Sequence, residues 1–229
     1  MISFKKFIIY GGNYGSGKTE LSINTALNIA KTGKKTVLLD MDIVNPYFRS
    51  SEKQEMLEKA GIRVIAPCFA NTAVDVPSLP AEIFAPFDDK SIEAAVFDCG
   101  GDPVGAAALG QLAPRFMAHA DDMEFLYVIN TMRPLQSTAD EIIEMMRQIE
   151  FASKLSVTGI VCNGNIANAT EAAMIEESMK IVEEASEKTG IPIRFTAVKQ
   201  DLLEQVSVVD GEKYPIILYM RPDWLDEIF

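Results

Sequence analysis

The sequence predicts one α/β domain over residues 1–229, in which helices cover both faces of a mostly parallel, twisted sheet. Short β-branched segments alternate with amphipathic segments along the chain, which is typical of strands joined by helices. Of the 229 residues, 48% are apolar and 24% are charged, as in ordinary globular proteins. No repeat, low-complexity segment or linker interrupts this alternation. A chain of this length can bury a substantial core without disulfides or metals.

The first half of the chain predicts four strands and two helices. The strands are short apolar runs at Lys6–Tyr10, Thr36–Asp40, Ile62–Ala66 and Ala94–Asp98. The helices have amphipathic spacing, and a glycine of the kind that ends helices follows each of Lys18–Lys31 and Ser51–Ala60. Residues 70–89 contain prolines at 77, 80 and 86, and we interpret them as an ordered loop with one helical turn.

The second half repeats the pattern with three strands and two helices. The strands are Glu124–Ile129, Val157–Val161 and Ile191–Val198. The first helix, Ser137–Phe151, places its isoleucines and Met146 on one face. The second helix, Ala169–Lys188, is followed by Gly190. Because the strands are separated by helices, we expect them to pair in parallel.

The charge of the chain argues against several classes of partner. Lys and Arg number 21 and Asp and Glu number 33, so the net charge is 21 − 33 = −12. Such a chain repels phosphate backbones and anionic lipid surfaces, so we expect neither nucleic-acid nor membrane binding. No apolar run is long enough for a transmembrane helix or a signal peptide. Three dispersed cysteines, Cys68, Cys99 and Cys162, indicate reduced thiols and a cytoplasmic protein.

A phosphate-binding motif follows the first strand. The segment satisfies G-x-x-x-x-G-K-[ST] and reads Gly12-Asn13-Tyr14-Gly15-Ser16-Gly17-Lys18-Thr19. A preceding strand and a following helix are the context in which backbone N–H groups converge on phosphate oxygens. Lys18 would supply charge to the β- and γ-phosphates, and the Thr19 hydroxyl would bind Mg²⁺. The sequence therefore predicts a P-loop fold that binds the phosphates of a nucleotide together with Mg²⁺.

Two predicted strands end in aspartates. Asp40 and Asp42 follow one apolar strand, and Asp98 ends another, three residues before Gly101. In open α/β sheets the ligand lies beyond the carboxyl ends of the strands, which is where these carboxylates fall. Asp40 is also explained as a residue that only caps its strand.

These motifs together resemble the MinD/ParA/CobQ-CobB group of P-loop nucleotidases, of the SIMIBI class, over most of the chain. The resemblance implies that Asp42 lies near the γ-phosphate and positions the attacking water. It implies that Asp98 holds Mg²⁺ through water, and that Gly101 contacts the γ-phosphate as the hinge of a switch loop. It further implies that Asn163, at the end of a strand, reads the base and that Lys199 lies in the loop that covers it.

The identity of the base depends on Asn163. A side-chain amide can both donate to and accept from adenine, as in other adenine contacts. A guanine site would show Asn-Lys-x-Asp, whereas this chain has Asn163-Gly-Asn-Ile. An Asx turn is the competing explanation for Asn163.

The sequence departs from the group that it resembles at three places. The lysine that acts across a MinD-type dimer is replaced by Asn13, and Tyr14 replaces the following glycine. The acidic C-terminal segment, residues 221–229, is unlike a basic membrane anchor. Arg133, in Asn-Thr-Met-Arg-Pro, could contact phosphate or a second subunit, or be a solvated loop residue. A homodimer remains compatible with these departures.

We expect slow, Mg²⁺-dependent ATP hydrolysis by a cytoplasmic nucleotide switch that acts on a protein partner or a small metabolite. One alternative is an ATP-dependent carboxylate-activating ligase resembling CobB or dethiobiotin synthetase, with Arg49, Arg115 and Arg133 as candidates for its substrate pocket. The other alternative is a nucleotide-gated adaptor with negligible hydrolysis. The adaptor is a serious alternative because the second signature lysine, which serves hydrolysis in MinD-type dimers, is missing.

Overall fold

The computed structural model describes residues 2–42, 53–69, 77–78, 80–207 and 211–220. Its strands, numbered in chain order, are β1 (Phe7–Gly11), β2 (Thr36–Asp40), β3 (Arg63–Ile65), β4 (Cys68–Phe69), β5 (Pro77–Ser78), β6 (Ala94–Asp98), β7 (Met123–Ile129), β8 (Gly159–Cys162), β9 (Ile193–Lys199) and β10 (Glu212–Ile216). Its helices are α1 (Lys18–Ala30), α2 (Gln54–Lys59), α3 (Ala85–Asp88), α4 (Pro103–Gly110), α5 (Ala113–Met117), α6 (Ala139–Ser153) and α7 (Ala172–Thr189).

Eight of these strands form one sheet in the order β10-β9-β8-β7-β1-β6-β2-β3. Every neighbouring pair in this sheet is parallel, and β4 and β5 form a separate antiparallel pair. The predicted fold class, an α/β P-loop fold with a mostly parallel sheet, is confirmed. From β1 the chain adds β2 and β3 on one side of the sheet, and from β6 it adds β7 and the later strands on the other side. The loop after β1 therefore lies at the topological switch point, where ligands bind such sheets.

The sheet is buried on both faces, because alternate side chains of β1 enter two separate clusters. Phe7 and Ile9 pack on the side of α4, α5, α6 and α7. Ile8 and Tyr10 pack on the side of α1 and α2. This two-sided burial explains why the central strands are continuous apolar runs. None of the described helices is long and apolar enough to cross a membrane.

Several parts of the fold differ from the sequence-based prediction, among them strand β4 and helix α5, which the sequence did not predict. The last strand is β10, not Ile191–Val198; its run contains Pro215, which is tolerated because β10 lies at the edge of the sheet. Helix α4 was not predicted, because its apolar residues and two glycines show no amphipathic period. Within residues 70–89, the described part contains β5, a 3₁₀ turn at Ala81–Phe84 and then α3, which is more structure than one helical turn.

Candidate functional site

The loop between β1 and α1 is a P-loop whose shape depends on glycine. Gly12 has φ 143°, and a Cβ atom there would lie 2.4 Å from the carbonyl oxygen of Val128. Gly17 has φ 92°, and a Cβ atom there would lie 2.2 Å from the Asn163 amide nitrogen. Both positions therefore require glycine for its conformation and for the space beside it. Helix α1 begins at Lys18 and directs its N-terminal N–H groups toward the same loop.

Lys18 is buried inside this loop. Its Nζ donates to the carbonyl oxygen of Asn13 at 3.0 Å, within the P-loop itself. Burial lowers the pKa of Lys18 from its ordinary value, while Asp98 and Asp42 oppose that shift. A cation held this way among backbone dipoles and carboxylates can exchange the Asn13 carbonyl for phosphate oxygens.

Asp98 ends β6 beside the first turn of α1. Burial raises the pKa of its carboxyl to about 6, although the Thr19 hydroxyl and the Lys18 ammonium act in the opposite direction. Its Oδ1 is buried and finds no hydrogen-bond partner among the described residues. A hydroxyl and a carboxylate oxygen that lacks a partner are the hard oxygen ligands that Mg²⁺ prefers. No three His, Cys, Asp or Glu side chains converge as a metal cage in the described part of the chain, so phosphates and water would complete the coordination.

Two further predicted residues flank Lys18. Asp42 follows β2, is half-buried and lines the same cavity as Lys18. The Asp40 carboxylate accepts a hydrogen bond from the Asp42 N–H at 3.0 Å and so fixes the backbone there. At Gly101, a Cβ atom would lie 2.8 Å from the Tyr14 backbone nitrogen and 3.1 Å from Lys18 Nζ. The loop after β6 therefore touches the P-loop through a residue with no side chain.

One cavity of about 520 Å³ joins these groups, a volume typical of small-molecule sites. The lining residues of the P-loop and of the loops after β2 and β6 are called the phosphate end. They include most of the predicted residues, namely Tyr14, Gly15, Gly17, Lys18, Thr19, Asp42 and Gly101. The lining residues that follow β7, β8 and β10 are called the far end, and they include Asn130, Asn163, Asn165, Ala167, Leu218 and Met220. Arg133 and Cys99 also line it. Burial raises the pKa of the Cys99 thiol well above its usual value, so Cys99 packs as a neutral side chain and not as a reactive thiolate.

Asn163 connects the P-loop to the far end of the cavity. Its Nδ2 donates to the carbonyl oxygen of Ser16 at 2.7 Å, and its Oδ1 accepts from Asn165 Nδ2 at 2.9 Å. An amide has two N–H groups and two acceptor lone pairs, so one of each remains after these bonds. Asn163 thus holds the P-loop in place and keeps one donor and one acceptor for a ligand.

The chain that leaves β10 forms the apolar wall of this cavity, which sequence reasoning missed. Glu20 of α1 accepts hydrogen bonds from the N–H groups of Tyr219 (2.6 Å) and Met220 (3.1 Å). Asn24, one turn later, exchanges two hydrogen bonds with the backbone of Ile217. Leu218 and Met220 are thereby placed beside the P-loop. The sequence offered one sign of this contact: Glu20 and Asn24 are polar residues one helical turn apart on α1.

Some predicted residues lie elsewhere. Lys199 ends β9 and forms an ion pair with Asp201 (3.1 Å), and it does not line the cavity. Arg115 pairs with Asp88 at 2.7 Å on the surface and is likewise outside the cavity. The predicted switch segment after Asp42, with Arg49, falls outside the described residues.

Residues 7–201 match the family described as the CobQ/CobB/MinD/ParA nucleotide binding domain, CbiA. No curated protein matches the chain by sequence. Similar solved structures include the cell division protein FtsY from Thermotoga maritima, with 20% identity over 87% of this chain and 64% of that one, at a TM-score of 0.58. FtsY from Mycoplasma mycoides has 18% identity over 86% and 62% of the two chains, at a TM-score of 0.58.

A third similar structure is signal recognition particle 54 kDa protein from Aeropyrum pernix in complex with GDP. It has 18% identity over 86% of this chain and 42% of that one, at a TM-score of 0.54. The chain therefore spans less than two thirds of each of these three proteins. At these identities the likeness shows the fold alone.

Proposed function

The chain belongs to the CobQ/CobB/MinD/ParA nucleotide-binding family, and we propose that it is an Mg²⁺-dependent ATPase that works as a nucleotide switch. One observation carries the proposal. The P-loop, the buried Lys18, Thr19 and Asp42 line one cavity of about 520 Å³ that is large enough for a nucleotide, and the Thr19 hydroxyl bonds the buried Asp98 carboxylate.

The residues at the phosphate end have separate roles in this proposal. The backbone N–H groups of the P-loop and Lys18 bind and orient the β- and γ-phosphates. Asp42 holds the attacking water in line with the γ-phosphate, because it is the half-buried carboxylate that follows β2 at the cavity. Gly101 contacts the γ-phosphate through its backbone and changes position when that group leaves.

Thr19 and Asp98 would hold Mg²⁺, Thr19 through its hydroxyl and Asp98 through water. The ion would neutralise charge on the β- and γ-phosphate oxygens. The buried Asp98 Oδ1 without a partner supports this assignment, because such an atom gains a ligand when the site is filled.

Adenine is the base that the far end of the cavity favours. Guanine presents two adjacent donors, N1–H and N2–H₂, that call for a carboxylate. Among the described residues that line the cavity, the carboxylates are Glu20, which binds the N–H groups of Tyr219 and Met220, and Asp42, which lies near Lys18. The remaining donor and acceptor of Asn163 match adenine N7 and N6. The GDP in the Aeropyrum pernix structure makes GTP the competitor to test.

The ligase and adaptor alternatives have less support. A carboxylate substrate would need several cations, and of the three candidate arginines only Arg133 lines the cavity in the described part of the chain. Against the adaptor, Asp42 lines the same cavity as Lys18 and Thr19, which is where a carboxylate that orients the attacking water would lie.

Steady-state phosphate release from Mg·ATP tests the proposal. We expect wild type to release phosphate, Lys18→Ala to lose release together with nucleotide binding, and Asp42→Asn to bind ATP normally but release phosphate at least about 100-fold more slowly. The exposed positions Lys180→Ala and Asp121→Asn are matched controls that should retain wild-type rates. Release by wild type no faster than by Lys18→Ala would contradict the proposal.

A further inference from the structure

Several hydrogen bonds fix the backbone of the loop after β7. The carbonyl oxygen of Asn130 accepts from the Arg133 N–H at 3.0 Å, and its Oδ1 accepts from the Met132 N–H at 3.1 Å. Gln136 returns to accept from the Asn130 N–H at 3.0 Å. Asn130 is almost fully buried, and its Nδ2 donates to the carbonyl oxygen of Asn165. The position of Arg133 is therefore set by its own loop.

This loop places the Arg133 side chain against the P-loop. The side chain lies along Gly15: its Nε, Cδ and Cγ are 3.4, 3.5 and 3.6 Å from the position that a Cβ atom of Gly15 would occupy. These are ordinary van der Waals distances, so the Arg133 side chain packs directly on the P-loop at Gly15, whose φ of 72° itself favours glycine. Arg133 and Gly101, which contacts Tyr14 and Lys18, both line the cavity beside the P-loop.

The Arg133 guanidinium has no hydrogen-bond or ion-pair partner among the residues that the structure describes. Arg115 and Arg194, by contrast, pair with Asp88 and Glu124. The chain has a net charge of −12, and this exposed cation without a partner lies at the cavity proposed to bind an anion. Its charge is therefore available to that anion.

The charges around the cavity explain why a second cation is needed. Within the described lining residues the cations are Lys18 and Arg133. Lys18 is close to Asp98 and Asp42, which offset much of its charge. A nucleoside triphosphate gains charge at the oxygen between its β- and γ-phosphates as the terminal bond breaks. A planar guanidinium can bond two phosphate oxygens at once.

We propose that Arg133 bonds the phosphates of the nucleotide bound to its own chain and stabilises the charge that develops during cleavage of the γ-phosphate. Water attacks the γ-phosphorus, the bond to the β–γ bridging oxygen breaks, and that oxygen leaves as part of ADP while Arg133 bonds it. Of the two protons of the attacking water, one stays on the phosphate formed and the other passes to solvent. This inference rests on the proposed ATPase function. It also means that each chain carries its own cation for hydrolysis.

Single-turnover hydrolysis of Mg·ATP compares wild type with Arg133→Ala, Arg133→Lys and the exposed control Arg147→Ala on α6. We expect Arg133→Ala to slow hydrolysis at least about 100-fold while the dissociation constant for ATP rises less than about 10-fold. Arg133→Lys should recover only part of the rate, because lysine lacks the planar fork. Arg147→Ala should behave as wild type. A wild-type rate in Arg133→Ala, or an effect confined to ATP affinity, overturns the inference.

A mixture of two defective variants tests whether Arg133 acts within its own chain. Arg133→Ala and Lys18→Ala, mixed in equal amounts, should show no more activity than the sum of the two alone. Recovery of activity in the mixture would mean that Arg133 serves a second subunit and would overturn the assignment to its own chain.

Binding of ADP with aluminium fluoride, which imitates the group in transfer, gives a readout that does not depend on turnover. Wild type should bind this complex more tightly than Arg133→Ala, by a factor that exceeds the difference for ADP alone. Equal ratios overturn the inference. Absence of hydrolysis in wild type would instead defeat the ATPase proposal, and the binding comparison would still decide the role of Arg133.

Discussion

The buried charge of Asp98 costs folding stability, and the proposed Mg²⁺ would compensate that charge. Its carboxyl is buried beside α1, and burial raises its pKa from 3.8 to about 6. The folded protein therefore holds a proton on Asp98 more tightly than the unfolded chain does. Stability that this proton provides is present below about pH 4 and is lost as the pH rises through about 6.

We therefore predict that Asp98→Asn stabilises the nucleotide-free protein above pH 6. The shift of about two pH units corresponds to a gain on the order of 3 kcal/mol relative to wild type, and the gain should vanish near pH 4, where wild type is itself protonated. Urea unfolding of both proteins between pH 4 and pH 8 measures this difference. The exposed Asp121→Asn should show none. A gain that does not change with pH would contradict the burial argument.

The sequence identified most residues of the phosphate end because a short motif specifies them directly. The structure brings Lys18, Thr19, Asp42, Asp98 and Gly101 together around the P-loop, and their roles toward a nucleotide remain predictions. Lys199 does not line the cavity, because its ammonium turns to Asp201 two residues later, and such a local ion pair leaves no pattern in a sequence. The contact between Arg133 and Gly15 joins residues far apart in the chain and was equally invisible.

At the scale of elements, α1 does more than carry the P-loop. Glu20 and Asn24 hold the chain after β10 against α1, and this chain closes the far end of the cavity. Burial raises the pKa of Glu20, and the hydrogen bonds from Tyr219 and Met220 oppose that shift. The wall of the cavity at Tyr219 and Met220 is therefore held to α1 by one partly buried carboxylate, and at Ile217 by the Asn24 amide.

We predict that Glu20→Ala releases this wall. Two backbone N–H groups would lose their acceptor, which costs about 1–3 kcal/mol of folding stability, and nucleotide affinity should fall about 10-fold for a wall contact worth about 1.4 kcal/mol. Glu20→Gln keeps one acceptor oxygen, so its stability and its nucleotide affinity should lie between those of wild type and Glu20→Ala. Amide hydrogen exchange at Tyr219 and Met220, with the nucleotide dissociation constant, measures the effect, and the exposed Glu58→Ala on α2 serves as control. Unchanged protection of both amides in Glu20→Ala would contradict this role.

The elements that the sequence predicted well are those whose signal is local. Strands β1, β2, β6, β7 and β8 are buried throughout and read as apolar runs. Helix α4 and strand β10 were missed because their stability comes from packing. Gly105 of α4 approaches Gly100 so closely that a Cβ atom would lie 2.6 Å away, and β10 exists because it pairs with β9. Such tertiary effects override local propensity.

For the whole molecule, the parallel sheet and the net charge of −12 act together. The sheet brings the ends of β1, β2, β6, β7 and β8 to one edge, where their loops form the cavity. An acidic molecule repels a nucleotide at long range, so the proposal assigns binding to the local N–H dipoles of the P-loop, Lys18, Arg133 and Mg²⁺. We therefore expect nucleotide binding to depend strongly on the metal ion.

Calorimetric titration of ATP into the protein, with and without Mg²⁺, tests the central claim most directly. The account predicts one site per chain, tighter binding of ATP than of GTP, marked weakening without Mg²⁺, and no binding to Lys18→Ala while Lys180→Ala binds normally. Absence of ATP binding to wild type, or equal binding to Lys18→Ala, would contradict the claim that this cavity is a nucleotide site.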